Sequence, residues 1–155
     1  METESVTIRK AGQGDVPAIV AMFANDSLGG HGDTTDPSAL PDYRAAFRLI
    51  DQSPNETLYV AVKGGEVVGT FQTLITTTLT GRGGSSMIVE AVHTRADCRG
   101  QGVGEAMIRF CLDEARRQGL RQVQLTSNAK RTDAHRFYGR LGFEASHIGF
   151  KFKLK

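Results

Sequence analysis

Three glycines alternate behind an arginine in Arg99-Gly100-Gln101-Gly102-Val103-Gly104. The stretch follows an apolar run, Met87 to Val92, and opens a helical pattern that extends to about Gln118. Glycine has no Cβ, so such a loop lets a ligand come close to the backbone. Its amides run on into the unsatisfied N–H groups of a helix N-terminus. Together with the positive end of the helix dipole they suit a phosphate or pyrophosphate. Arg99 adds a charge-assisted contact. The chemistry implied is a phosphate-bearing cofactor held mostly by backbone. A Walker loop would end in Gly-Lys-Ser/Thr, and Val103-Gly104-Glu105 does not. A dinucleotide fingerprint would have glycine where Glu105 stands and would lie in the first strand–helix unit, not two-thirds of the way along the chain.

The elements that must position this loop follow from patterning. Val6 to Arg9 alternates as a strand, and Asp15 is the expected N-cap of a helix through Val16, Ile19, Val20 and Phe23 to about Ala24. Asn25 to Pro41 is polar and rich in breakers, with Asp26, His31, Asp33 and Asp36; it reads either as a solvated loop or as part of a pocket for a cationic amine. Tyr43, Ala46, Phe47 and Ile50 make a second short helix. Thr57 to Val62, Val67 to Leu74 and Met87 to Thr94 read as a three-strand meander with turns at Lys63–Glu66 and Gly81–Ser85. The helix from Val103 is capped by Gly119 and is followed by the strand Gln122 to Thr126, which implies a right-handed crossover. Thr132-Asp133 is expected to cap a helix ending at Gly142, and Phe143 to Leu154 suits one or two closing strands.

With 155 residues, 39% hydrophobic and 23% charged, the chain fits a single globular domain spanning 1–155. A net charge of +2, no basic block and few aromatics on strands argue against nucleic acid. Cys98 and Cys111 form no CxxC, and the four histidines have no metal-ligand spacing, so no metal is expected. Cys98 reads as a plain loop thiol. The N-terminal residues have no apolar signal region and no run is long enough to span a bilayer, which points to a cytoplasmic chain with no membrane partner.

Arg99-x-x-Gly102-x-Gly104 resembles the coenzyme A pyrophosphate loop of the GNAT N-acetyltransferase superfamily. Phe137-Tyr138-Gly139-Arg140-Leu141-Gly142-Phe143 is similar to that family's Phe-Tyr-x-x-Leu-Gly-Phe segment, and Asn128, Ala134 and Phe137-Tyr138 match its spacing after the fifth strand. The run Asn128 to Tyr138 is similar to that of small-molecule members, aminoalkylphosphonate N-acetyltransferases among them. The resemblance implies an α/β fold of order β-α-α-β-β-β-α-β-α-β, a mixed sheet of six to seven strands and about four helices. Two positions depart from the pattern: Thr94-Arg95-Ala96-Asp97 lacks the usual proline, and Arg131 stands where many members have a second asparagine.

That resemblance implies direct attack of an amine on the thioester of acetyl-CoA. A backbone N–H at Val92 would polarise the acetyl carbonyl, and Val92, His93 and Thr94 would pair with the pantetheine amides. The pyrophosphate would lie on Arg99, Gly100, Gln101, Gly102, Val103 and Gly104. Asn128 would bond the pantetheine arm, and Tyr138 would protonate the departing sulfur. Glu90, polar in an otherwise apolar strand and on the same face as Val92 if alternation holds, is the candidate general base. The expected acceptor is a small primary amine. Acetylation of a protein lysine or N-terminus, and a coenzyme A-binding sensor without turnover, are the alternatives. Exposed closing strands could pair between chains, giving a homodimer.

Overall fold

Turn chemistry sets the register of the sheet in the computed structural model, which describes residues 4–28 and 31–155. Its elements are β1 (Thr7–Lys10), α1 (Val16–Ala24), α2 (Leu40–Gln52), β2 (Glu56–Lys63), β3 (Glu66–Thr77), α3 (Thr80–Gly83), β4 (Ser85–Thr94), α4 (Val103–Arg117), β5 (Gln122–Leu125) and α5 (Thr132–Arg140). Gly64 and Gly65 take left-handed backbone angles (φ 59° and 76°), as a two-residue turn between β2 and β3 requires. The described strands form one sheet in the order β1-β2-β3-β4-β5, antiparallel from β1 to β4. The chain divides into two compact units, Met1–Gln124 and Leu125–Lys155.

In the first unit, alternation sends neighbouring residues of β2 to opposite faces. On one face α1 and α2 bury Val16, Ile19, Val20, Met22 and Phe47 against Val60. On the other, Tyr59 and Phe71 stack with centroids 4.9 Å apart, and Phe110 of α4 meets Tyr59 edge-on at 5.1 Å. The α4 stripe Val103, Met107, Ile108 and Cys111 is fully buried there. It packs tightly on Gly69, where an added Cβ would lie 2.9 Å from Met107 Sδ and 3.0 Å from Val103 Cγ1. The α4 C-terminus closes on Gly119 (φ 67°), with the Leu120 N–H donating to the Ala115 carbonyl.

Several expectations need correction. The described residues contain five strands and five helices, not six to seven strands and about four helices. The extra helix, α3, is a four-residue turn in which Gly81 and Arg82 are left-handed. The missing strands are those expected in Phe143 to Leu154, where no strand forms. Alternation alone does not make a strand, because its backbone groups also need a partner edge. Asp15 stands at the N-cap of α1 as expected but makes no side-chain cap bond there: its carboxylate accepts from the Gly12 N–H (2.7 Å) and pairs with Arg9 (2.7 Å). At the start of α5 the N-cap is Arg131, with no side-chain cap bond.

Gly69→Val should test the tight α4–sheet contact. Its branched side chain would have to displace Val103 and Met107, both fully buried. Chemical denaturation should show a loss of about 1–3 kcal/mol, and unchanged stability would mean that α4 can shift freely.

Candidate active site

The site begins with a fault in β4. His93 pairs with Thr70 and Glu90 with Gln72, so two residues, Ala91 and Val92, face the single residue Phe71. This is a β-bulge, which unpairs part of the ladder and turns the strand. Ala91 takes a left-handed angle (φ 52°), uncommon for a residue with a Cβ. The bulge also resets alternation. Thr70 and Gln72 share a face of β3, so their partners His93 and Glu90 share a face of β4. The expectation that Glu90 and Val92 lie on one face is therefore corrected, because one inserted residue shifts the period by one. Glu90 is exposed, and Val92, His93 and Thr94 are half-buried.

A brace from another element holds the bulge. The His93 ring lies 3.2 Å through Nδ1 from the Ala91 carbonyl and 3.1 Å through Nε2 from Asp26 Oδ2. The edge of the Phe23 ring supports it, with centroids 4.8 Å apart. The Asp26 carboxylate is nearly buried, with 8% of its side chain exposed, and it also accepts from the Leu28 N–H. No local pattern could have paired Asp26 with His93, since they are 67 residues apart. Elsewhere in the polar loop, Asp33 accepts from the Tyr43 hydroxyl (2.7 Å) and Asp36 from the Ser38 N–H (3.0 Å), both structural uses, while His31 is exposed. Gly29 and Gly30 lie outside the described residues.

Past β4 the chain makes a short 3-10 turn, Ala96–Cys98, and then the glycine loop. Gly100 (φ 75°) and Gly102 (φ 84°) are both left-handed, and a Cβ on either would meet nothing within 4 Å. The glycines are therefore demanded by the backbone path, which leaves the space over the loop open. Gly102 is the N-cap of α4 and supplies no side-chain cap, so the first N–H groups of the helix remain available to an anion. Gln101 anchors the loop, accepting from Lys63 Nζ (3.2 Å) and donating to the Asp97 carbonyl (3.3 Å). Arg95 is engaged by Asp97 (2.6 Å) and Glu66 (3.2 Å), which holds the Asp97 carboxyl below its usual range. Arg99 is exposed and has no ion pair among the described residues. A cavity of about 250 Å³ lies beside it, lined by Asn25, Val67, Thr94 and Arg95 among others. An uncapped helix terminus, an uncommitted guanidinium and a cavity at the strand end fit the diphosphate and arm of a coenzyme A-type molecule.

The second unit holds the other two predicted residues. Asn128 lies within the loop between β5 and α5: its Oδ1 accepts from the Lys130 N–H (2.9 Å), and its carbonyl accepts from the Arg131 N–H (2.9 Å) and lies 2.9 Å from His135 Nε2. Tyr138 stands on α5, its ring edge-on to Phe137 (5.2 Å) and Phe143 (5.8 Å).

The profile of the Acetyltransferase (GNAT) family matches residues 26–143. The chain belongs to the GNAT acetyltransferase family. It is 36% identical to the aminoalkylphosphonate N-acetyltransferase of Salmonella typhimurium, over 70% of this chain and 72% of that one. It is 31% identical to the L-methionine sulfoximine/L-methionine sulfone acetyltransferase of Pseudomonas aeruginosa, over 96% and 88%. A crystal structure described as a transcriptional regulator from Bacillus halodurans is 38% identical and superposes with a TM-score of 0.92, over 97% of this chain and 100% of that chain. This GNAT chain is thus an N-acyltransferase by family, and no helix among its described residues is long and apolar enough to cross a membrane.

Neither cysteine of the GNAT chain is placed as a nucleophile. Cys98, expected in a loop, is 7% exposed, and Cys111 is fully buried. Burial pushes the Cys111 thiol up to about 12, against an ordinary value of about 8.5. Below the ordinary value both folded and unfolded chains carry a neutral thiol. Between the two values only the unfolded chain releases the proton, so stability falls as pH rises through that window. Cys111→Ala should flatten this alkaline loss in denaturation curves taken across pH. In native protein at mildly alkaline pH, Cys111 should resist a thiol reagent until the fold is opened; rapid labelling would contradict its burial.

Proposed function

We propose that this chain transfers the acetyl group of acetyl-CoA to the primary amine of a small molecule, by direct attack within one N-acetyltransferase domain spanning 1–155. The observation that carries the reading is the α4 N-terminus, uncapped behind two left-handed glycines and flanked by the uncommitted Arg99. The family span 26–143 crosses the boundary between the two compact units, which supports a single functional domain. Both named enzyme relatives are described as acetylating small molecules, which supports a small amine over a protein lysine or N-terminus. Two buried free thiols fit a reducing interior.

In this reading the thioester supplies an activated acyl group. The backbone N–H groups of Gly102, Val103 and Gly104, with Arg99, hold the diphosphate. Val92, freed from regular pairing by the bulge, presents its N–H to the acetyl oxygen, where such a donor is worth on the order of 3 kcal/mol in acyl transfer. His93 and Thr94 continue the strand along the pantetheine arm, which Asn128 also binds. Glu90, exposed on the bulged strand, takes the proton of the incoming ammonium, directly or through water. The amine nitrogen bonds to the carbonyl carbon, the carbon–sulfur bond breaks and Tyr138 gives the sulfur its proton, while the second proton leaving the nitrogen passes to solvent and so restores the Tyr138 hydroxyl.

Calorimetric titration tests the cofactor. Acetyl-CoA should bind where NAD and ATP do not, and Arg99→Ala should weaken it by roughly tenfold, the usual worth of one charged hydrogen bond. Absence of acetyl-CoA binding would overturn the reading. With the acceptor amine found by a thiol-release panel, Tyr138→Phe should lower kcat and leave acetyl-CoA affinity nearly unchanged. Glu90→Gln should flatten the rise of kcat/KM with pH. A rate or profile like that of the wild type would remove the residue concerned from its role.

A further inference from the structure

The Ala91 carbonyl and the Val92 N–H belong to one planar peptide group. The described residues contain no cis peptide bond, so the two point in opposite directions. Whatever fixes the Ala91 oxygen therefore fixes the direction of the Val92 hydrogen. The strand ladder does not fix it, because pairing with β3 passes from His93 to Glu90 and skips both residues. Intrinsic preference does not fix it either: Ala91 sits at φ 52°, uncommon for a residue with a Cβ. The Ala91 oxygen instead meets the His93 ring, with Nδ1 at 3.2 Å. A carbonyl oxygen only accepts, so Nδ1 carries the hydrogen of that contact. At the other end of the ring Nε2 lies 3.1 Å from Asp26 Oδ2, and the edge-on Phe23 ring closes on it. Both ring nitrogens are thus committed, which leaves neither to take a proton from an incoming amine.

We propose that His93 and Asp26 are positioning residues for acyl transfer. Asp26 holds the imidazole, the imidazole holds the Ala91 carbonyl, and the shared peptide plane aims the Val92 N–H at the acetyl oxygen. The proposal rests on the reading of Val92 as the donor to that oxygen. It gives the His93 side chain a role separate from that of its backbone along the pantetheine arm. A hydrogen bond to a carbonyl also polarises the amide it belongs to, which strengthens that amide's N–H as a donor. Such a donor stabilises an oxyanion because it is aimed before the reaction begins. The surroundings suit a fixed aim: the His93 side chain is 22% exposed and that of Asp26 8%. The Asp26 carboxylate also accepts from the Leu28 N–H, so it is itself held in place.

Nitrogen NMR supplies an arm that needs no variant. In the wild-type chain His93 Nδ1 should carry a hydrogen; a bare Nδ1 would overturn the proposal, since a lone pair cannot hold a carbonyl. His93→Leu and His93→Asn both lose the Asp26 contact, but the asparagine amide stands where Nδ1 stood and still donates. The Val92 amide nitrogen resonance should therefore move in His93→Leu and return toward its wild-type position in His93→Asn. With the acceptor amine, kcat of His93→Leu should fall roughly tenfold below that of His93→Asn, the worth of one hydrogen bond. Calorimetric affinity for acetyl-CoA should be the same in the two. Asp26→Asn, which keeps a polar partner for Nε2, should retain more of kcat than Asp26→Ala. Equal kcat in the two His93 variants, an unmoved Val92 resonance, or a loss that falls on acetyl-CoA affinity and spares kcat would each overturn the proposal. Failure of the wild-type chain to bind acetyl-CoA would overturn the underlying reading as well. That case is told apart because the nitrogen spectra would still show the ring holding the carbonyl.

Discussion

A β-strand can present its backbone to a ligand only where its ladder stops pairing with the next strand. In this chain the β3–β4 ladder stops pairing regularly at Ala91 and Val92, two residues set against the single Phe71. Much of the first unit's architecture can be understood from there. Phe71 is fully buried in an aromatic group with Tyr59 and Phe110, so β3 cannot move to restore the register. Ala91 is held at a left-handed angle, a conformation that persists only where the surroundings over-determine it. His93 and Asp26 supply part of that determination from the other face, linking the strand to the end of α1.

The glycine loop solves a related problem by different means. Two glycines let the chain turn into α4 so that the helix starts with its amides exposed, and neither position is crowded. Rigidity comes from neighbours: Gln101 is tied to Lys63 and Asp97, and Arg95 to Asp97 and Glu66. The buried stripe of α4, pressed on Gly69, fixes the helix against β3, whose partner β4 carries the bulge. Loop and bulge are thus positioned by the same strand pair.

Much of this architecture was legible in the sequence because it depends on local rules. The 3.6-residue stripe from Val103, the glycines at 64, 65, 102, 119 and 142, and the alternation in β2 and β3 each state a conformation that few residues away could change. Element order and the family followed from these signals and from two short motifs. Two of the errors have one character. Glu90 and Val92 were expected on one face by strict alternation, which a single inserted residue overturns. Phe143 to Leu154 was expected to form strands by the same rule, although a strand also requires an edge to pair with.

By itself, then, the sequence determined the helix and strand periods, the turns, the glycine loop before α4 and the GNAT family. The tertiary structure alone decided the bulge at Ala91, the pairing of Asp26 with His93, the engagement of Arg95 and not Arg99, and the exposure of Ile148, Phe150, Phe152 and Leu154. The physical reason is the range of the interactions. Backbone angles and side-chain periodicity are set within one or two turns of chain. Register shifts, buried charge contacts and unpaired edges depend on which distant segments meet, and no residue carries that information alone.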